Sequence, residues 1–292
     1  MEILNVKNLR KTYVKGFIPK KQLVLKGVSF SLQPGTITGF LGGNGAGKTT
    51  TMKCLLGLAF PDSGEVEYFG QKELTSQIKA KIGFLPERPY FYEYLTGMEF
   101  LKFYGQISTK LKKHDLNQRI LSLLERVDLI HAKDKALRDY SKGMLQKIGL
   151  AQALVHRPEF VILDEPMAGL DPDGRYYLSE LIKETASEGT AVFLSSHLLH
   201  DVEQLCEHLV VLTGGNVVYE GLTQKFLESM NPSIDISYVD SGVGKTCSVP
   251  KGEALQLKIR ELLKSNFDIM EIKENKISLE EAFVNTALRK DS

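Results

Sequence analysis

Gly42-Gly43-Asn44-Gly45-Ala46-Gly47-Lys48-Thr49-Thr50, preceded by the apolar run Thr36 to Leu41 and followed by a helical pattern, is the stretch that sets the fold class. It satisfies G-x-x-x-x-G-K-[ST] in the strand-to-helix context that gives this pattern its meaning. Glycines let successive backbone N–H groups turn inward around phosphate oxygens, and the helix N-terminus adds its positive dipole end. Lys48 is placed to reach the β and γ phosphates of a nucleotide, and the Thr49 hydroxyl to ligate Mg²⁺. Gly42 through Thr50 therefore form the first part of a candidate site. The same triplet recurs as Gly244-Lys245-Thr246. There, however, the glycine required five positions earlier is Val239, and Cys247-Ser248-Val249-Pro250 comes next in place of a helix. This second copy reads as a loop with no phosphate role.

Further along, Phe160-Val161-Ile162-Leu163-Asp164-Glu165 supplies four apolar residues of a buried strand ending in two carboxylates. Side chains alternate along a strand, so the two acids are expected to point to different sides. Asp164 is then placed to support the Mg²⁺ shell, and Glu165 to orient or deprotonate a water for in-line attack. An isolated acidic pair after a strand is usually just solvated. Its pairing with a phosphate loop favours the functional reading.

Around these motifs the 292 residues have ordinary globular composition: 37 Lys and Arg against 36 Asp and Glu, a net charge of +1, 42% hydrophobic and 25% charged. Disorder, collagen-like repeats and a simple electrostatic nucleic-acid binder are excluded at this balance, and no nucleic-acid partner is expected. The charge is unevenly spread. No Asp or Glu lies between Ile3 and Pro61, where Lys7, Arg10, Lys11, Lys15, Lys20, Lys21, Lys26, Lys48 and Lys53 stand, leaving the rest of the chain at −8. A one-signed block of this kind suggests an anionic ligand or surface. No apolar run approaches the roughly 20 residues of a membrane span, and the first ten residues have no signal-peptide stretch, so a cytosolic chain is expected. Cys54, Cys206 and Cys247 are far apart, with neither a disulfide framework nor a zinc spacing, and read as reduced thiols.

Strands are expected at Leu4 to Leu9, Val24 to Leu32, Thr36 to Leu41, Phe160 to Leu163 and Ala191 to Leu194, with a helix around Tyr176 to Ala186. From about Leu95 to Leu154 the pattern is mostly helical, with Leu116, Ile120, Leu123, Leu124, Val127 and Leu129 at three-to-four spacing. The fold class is α/β: a parallel sheet covered on both faces, carrying a helical insertion. Residues 222 to 292 read as a smaller appended α+β segment.

With both motifs in hand, the chain resembles the nucleotide-binding subunit of an ATP-binding cassette (ABC) transporter, and five more segments support this in the family's order. Tyr13, in Lys11-Thr12-Tyr13, is similar to the aromatic that stacks on adenine. Ile82-Gly83-Phe84-Leu85-Pro86-Glu87 is similar to the loop that contacts Mg²⁺ and the membrane partner, with Glu87 where Gln is commoner. Tyr140-Ser141-Lys142-Gly143-Met144 occupies the signature position, with Ser141 23 residues before Asp164. Gly169-Leu170-Asp171-Pro172 matches the dimer-contact loop, and Ser195-Ser196-His197 the switch histidine. His197 beside His200 and Asp201 also admits a metal reading, but its place after an apolar strand fits a γ-phosphate contact better. The signature keeps only Ser141 and Gly143 of LSGGQ. Those are the two best suited to bind a γ-phosphate at a helix N-terminus, so the departures bear on hydrolysis rate more than on ATP binding.

The resemblance covers about residues 1–222, with residues 223–292 as an accessory segment. It implies a P-loop (RecA-like) core, an N-terminal antiparallel β subdomain and a helical subdomain at about 88–155. It further implies ATP and Mg²⁺ as cofactors, Thr49, Asp164 and Glu87 as metal donors, and Lys48, Glu165 and His197 as catalytic residues. Since one chain holds one phosphate loop and one signature, two ATP molecules would be sandwiched in a homodimer or with a similar chain. A separate integral-membrane permease is implied, with the subunit peripheral on the cytoplasmic face of the cell membrane. Tyr90, Phe91, Tyr92 and Tyr94 either receive a helix of that permease or pack between subdomains. The segment Ile277 to Phe283 is similar to the tail of ATPases serving exporters, or is an ordinary amphipathic helix. A soluble ribosome- or DNA-acting ATPase needs two cassettes or long insertions that this length does not hold. The remaining alternative is a weakly hydrolysing, nucleotide-gated regulatory subunit.

Overall fold

Two long strands, β1 (Leu4–Lys15) and β2 (Lys20–Leu32), precede β3 (Ile37–Gly42), which delivers the glycine-rich loop to helix α1 (Lys48–Leu55). After β4 (Ser63–Tyr68), α2 (Ser76–Lys79) and β5 (Ile82–Leu85) come three longer helices, α3 (Gly97–Ser108), α4 (Lys113–Arg126) and α5 (Lys142–Leu154). Next are β6 (Phe160–Asp164), α6 (Pro172–Ser187), β7 (Ala191–Ser195), α7 (Leu199–Leu205), β8 (His208–Thr213) and β9 (Asn216–Leu222). The chain ends with α8 (Thr223–Glu228), β10 (Ser233–Asp240), β11 (Val243–Pro250), α9 (Glu253–Lys264), β12 (Asp268–Asn275) and α10 (Leu279–Leu288). These elements come from a computed structural model that describes residues 2–15, 20–230, 233–240, 242–275 and 278–288. Contacts divide the chain into two units, Met1–Glu220 and Gly221–Ser292.

In the first unit, β6 and β7 are buried at every position and β3 at all but Gly42, the pattern of parallel strands covered on both faces. They form the middle of a six-stranded sheet ordered β5-β6-β7-β3-β8-β9, parallel from β5 through β8. Register aligns the strand ends. Asp164 pairs with Ser195 and Ser195 with Phe40, so these three residues form one row across adjacent strands. The residues beyond that row in each strand emerge at one sheet edge, where ligands of open parallel sheets bind. The antiparallel sheet β2-β1-β4 packs on this core through Phe30, whose ring lies 5.8 Å from that of Phe40 and 5.3 Å from that of Phe193.

The helical stretch forms as its spacing predicts. Thr96 and Glu99 make a reciprocal capping box that starts α3. α4 buries Leu116, Ile120, Leu123 and Leu124, and stops where Asp128 turns left-handed at φ 53°. Ile82–Leu85, which the family resemblance assigns to a loop, is instead the edge strand β5, and only Pro86 and Glu87 lie beyond it.

In the second unit, β10 pairs antiparallel with β11 on one side and β12 on the other, and α9 contacts both outer strands. Gly244-Lys245-Thr246 lies inside β11 and not in a loop, because register with β10 extends it. Ser278 and Glu281 cap α10 reciprocally; Ile277 lies outside the described residues. No described helix is long and apolar enough to cross a membrane.

Phe193 is fully buried between Phe30 and Phe40, and joins the two sheets of the first unit. Phe193→Ala is expected to cost about 3–5 kcal/mol in urea denaturation of the full chain. A loss below about 1 kcal/mol would show that this cluster does not hold the sheets together.

Candidate functional site

The glycine-rich loop has two kinds of glycine. A Cβ on Gly42 would lie 2.7 Å from the Leu212 carbonyl oxygen, and one on Gly47, at φ 115°, 2.7 Å from Leu25 Cδ2. These two are glycine because β8 and β2 press on the loop from behind. A Cβ on Gly43 would meet nothing within 4 Å, and Gly43, Asn44 and Gly45 are exposed, so the front of the loop is open to a ligand. The turn between β8 and β9 braces it further: the Gly215 N–H donates to the Ala46 carbonyl at 3.1 Å, and the Lys26 N–H to the Gly215 carbonyl at 2.8 Å. Lys48 Nζ donates to the Gly42 carbonyl at 2.6 Å, which folds the ammonium back over the loop. Thr49 is exposed and Thr50 half-buried in the first turn of α1.

At the ends of the neighbouring strands stand the acids. Asp164 is 8% exposed, and its Oδ1 accepts the Ser195 hydroxyl at 2.6 Å. The same hydroxyl oxygen accepts the Glu165 N–H at 3.1 Å, so one buried serine orients both acidic residues. Glu165 has φ 52°, a left-handed conformation rare for a side-chain-bearing residue. Its direction is therefore set by this turn and not by the strand alternation expected from sequence. Glu165 Oε2 accepts two N–H groups of His197, Nδ1 at 2.7 Å and the backbone N at 3.2 Å. That pairing assigns the ring proton to Nδ1 and leaves Nε2 outward on a side chain 62% exposed. Strain at a carboxylate doubly held by one histidine marks a positioned group.

Other expected residues lie elsewhere. Ser141 caps α5, its Oγ accepting from the Met144 N–H at 3.3 Å, and Gly143 is open, with Leu170 Cδ2 the nearest neighbour of a Cβ at 3.7 Å. No described hydrogen bond joins either to the phosphate loop of the same chain. Lys142 lies over Gly169, where a side chain would collide with it. Asp171 spends its carboxylate capping α6, accepting from the Gly174 N–H at 2.9 Å. Glu87 is exposed, 3.7 Å from Arg88 Nε. Tyr13 lies on β1, with Lys11 Nζ 5.4 Å from its ring centre. Asp201 pairs with Arg175 at 3.5 Å and His200 faces Gln204, and no group of three potential metal-binding side chains occurs among the described residues.

Two contributors escape sequence reasoning. Ser195 belongs to a quoted motif, but its role depends on strand register. Gln146, buried in α5, donates from Nε2 to the Pro166 carbonyl at 2.9 Å and ties the signature helix to the segment after Glu165. Nothing in the pattern around Gln146 signals that contact. The expected cationic patch is also smaller than composition implies: Lys7 pairs with Glu67 and Lys11 with Asp62, so acids in and beside β4 neutralise part of it.

Residues 25–168 match the family model described as ABC transporter. An uncharacterized ABC transporter ATP-binding protein of Nostoc sp. is 43% identical over 78% of this chain and 69% of its own length. The linearmycin resistance ATP-binding protein LnrL of Bacillus subtilis is 34% identical over 90% of this chain and 81% of that protein. A solved ATP-binding subunit of an ABC transporter superposes with a TM-score of 0.69 at 30% identity, covering 78% of this chain and 93% of that one.

The two kinds of glycine are separable. Gly47→Ala is expected to lower stability by about 2 kcal/mol through backbone strain and crowding. Gly43→Ala, in open space, should stay within about 0.5 kcal/mol of the parent. Equal losses in thermal or urea denaturation would contradict this division.

Proposed function

The chain belongs to the ABC transporter family as an ATP-binding subunit and ATPase, and from that premise we propose that it works as one half of an ATP-sandwiching dimer driving a separate membrane permease, in the export direction. The observation that carries the catalytic part is the convergence of three neighbouring strand ends: the phosphate loop after β3, Asp164-Glu165 after β6, and Ser195 to His197 after β7.

Phosphates are cradled by the open front of the loop, with Lys48 swinging from the Gly42 carbonyl to the β and γ phosphates. Glu165 Oε1 accepts none of the described hydrogen bonds, and is the oxygen that takes a proton from water. The water oxygen bonds to the γ phosphorus as the bond to the ADP oxygen breaks, releasing ADP and phosphate. His197 holds Glu165 in place through Nδ1–H, and its exposed Nε2 donates to the γ-phosphate only in the imidazolium form, in which both ring nitrogens carry protons. Asp164 and Thr49 offer hard oxygen donors suited to Mg²⁺, since Ser195 occupies only one Asp164 oxygen, and Glu87 is a third, more peripheral donor. Mg²⁺ held there would neutralise charge on the β and γ phosphates. Tyr13 stacks on adenine. Ser141 and Gly143, unattached to their own loop, act on the γ-phosphate of the partner copy, with Asp171 beside that interface.

Export is supported by the resistance named for the Bacillus subtilis relative, whose match extends over 90% of this chain, and by the Ser278 to Phe283 segment. The aromatic run Tyr90, Phe91, Tyr92 and Tyr94, with Tyr90 81% and Tyr94 73% exposed, is the proposed permease contact. Such a contact attaches the subunit peripherally at the cytoplasmic face of the membrane.

Glu165→Gln is expected to bind ATP, accumulate as a dimer in size-exclusion chromatography, and lose about 10²-fold or more of its phosphate release. Hydrolysis at the parent rate would remove Glu165 from the mechanism. For the permease, affinity purification from detergent-solubilised membranes should recover a polytopic membrane protein, and Tyr90→Ser with Tyr94→Ser should release it. Recovery with ribosomes alone would overturn the transport reading.

A further inference from the structure

Away from the phosphate loop, the second half of α4, the ends of α5 and α6 and the segments leading into β6 and β7 line an open cavity of about 440 Å³. Three arginines line it: Arg119 and Arg126 from α4, and Arg157 from the turn after α5. Like charges gather this closely only if something of opposite sign compensates them. The nearby carboxylates do so for one arginine. Glu188 accepts from Arg126 Nη1 at 3.3 Å, Glu184 lies 3.4 Å from Arg126 Nη2, and Glu159 at the rim pairs with Lys81 at 2.9 Å. No carboxylate pairs with Arg119 or Arg157 among the described residues.

Arg119 gives one N–H to the Leu154 carbonyl, at the negative end of α5, at 3.0 Å. That accounts for one donor of five. Its Nε is buried and makes no hydrogen bond among the described residues, whereas Arg126, which also has buried nitrogens without hydrogen bonds, is held by two carboxylates as ion pairs. Burial first, then the neighbouring Arg157 and Arg126, hold the Arg119 guanidinium below its ordinary range, against an opposing pull from Glu188. Arg157 has φ 56°, where glycine is the unstrained choice after a helix. Arg157 is exposed and has no ion-pair partner among the described residues.

We propose that this cavity is a second anion site, distinct from the ATP site, that binds a small tetrahedral oxyanion of the phosphate class between Arg119 and Arg157. Planar guanidinium forks match the paired oxygens of such an anion. Arg126 stays on its carboxylates and forms the wall. The site is independent of hydrolysis, because none of its residues belongs to the catalytic edge.

Equilibrium dialysis of the full chain against radiolabelled inorganic phosphate tests this, with Lys48→Ala present to remove the phosphate loop. One phosphate per chain is expected, displaced by sulfate and not by acetate. Adding Arg157→Gln should weaken binding about tenfold or more, as expected for a lost charge-assisted hydrogen bond. Arg157→Gly, which suits the left-handed backbone, should show the same loss, and Arg138→Gln, outside the cavity, none. Absence of phosphate binding in the Lys48→Ala chain would overturn the proposal. So would an affinity indifferent to both Arg157 substitutions.

Discussion

Parallel pairing of β6, β7 and β3 is the constraint on which the site depends. It places Asp164, Ser195 and Phe40 in one row, so three segments distant in sequence leave the sheet side by side. The Ser195 hydroxyl then does what backbone pairing cannot. It donates to the Asp164 carboxylate and accepts the Glu165 N–H, so one hydroxyl fixes both acidic residues at the strand end. Moving β7 by one residue would replace this serine with Leu194 or Ser196 and turn the wrong face toward Asp164.

Much of this was legible in sequence, for identifiable reasons. The phosphate loop carries its geometry in its glycines: two are required by packing, and others by positive φ or open approach. Apolar runs without alternation announced β3, β6 and β7, because strands buried on both faces need no polar side. What escaped depends on pairing partners. β5 is a short edge strand recognisable only by its register with β6, and the second Gly-Lys-Thr became a strand only through β10. The left-handed turn at Glu165 has no local signal, since glutamate has no preference for it. Alternation along the strand therefore could not predict where that carboxylate points.

Charge reading met the same limit. Nine cations without a carboxylate between Ile3 and Pro61 suggested a broad anion-binding surface, yet Glu67 on β4 and Asp62 just before it pair with two of them, Lys7 and Lys11. Lys48 differs from these paired cations in that its ammonium's described hydrogen bond is to a carbonyl, so it can be redirected without leaving an unpaired carboxylate. The compensation within the arginine cavity is, by contrast, incomplete in three dimensions although the chain total is near neutral.

The bracing of the phosphate loop from β2, β8 and the Gly215 turn bears on the entropy of capture. Fixing a flexible residue's backbone costs about 1–2 kcal/mol, and a mobile loop of this length would forfeit much of its affinity in becoming ordered. Here Gly42 and Gly47 are already pressed against Leu212 and Leu25, and Ala46 is hydrogen-bonded from behind, before any ligand arrives. The loop is preorganised. What is left to reorder on binding is then the Lys48 ammonium, which must leave the Gly42 carbonyl to reach anything held at the open front of the loop.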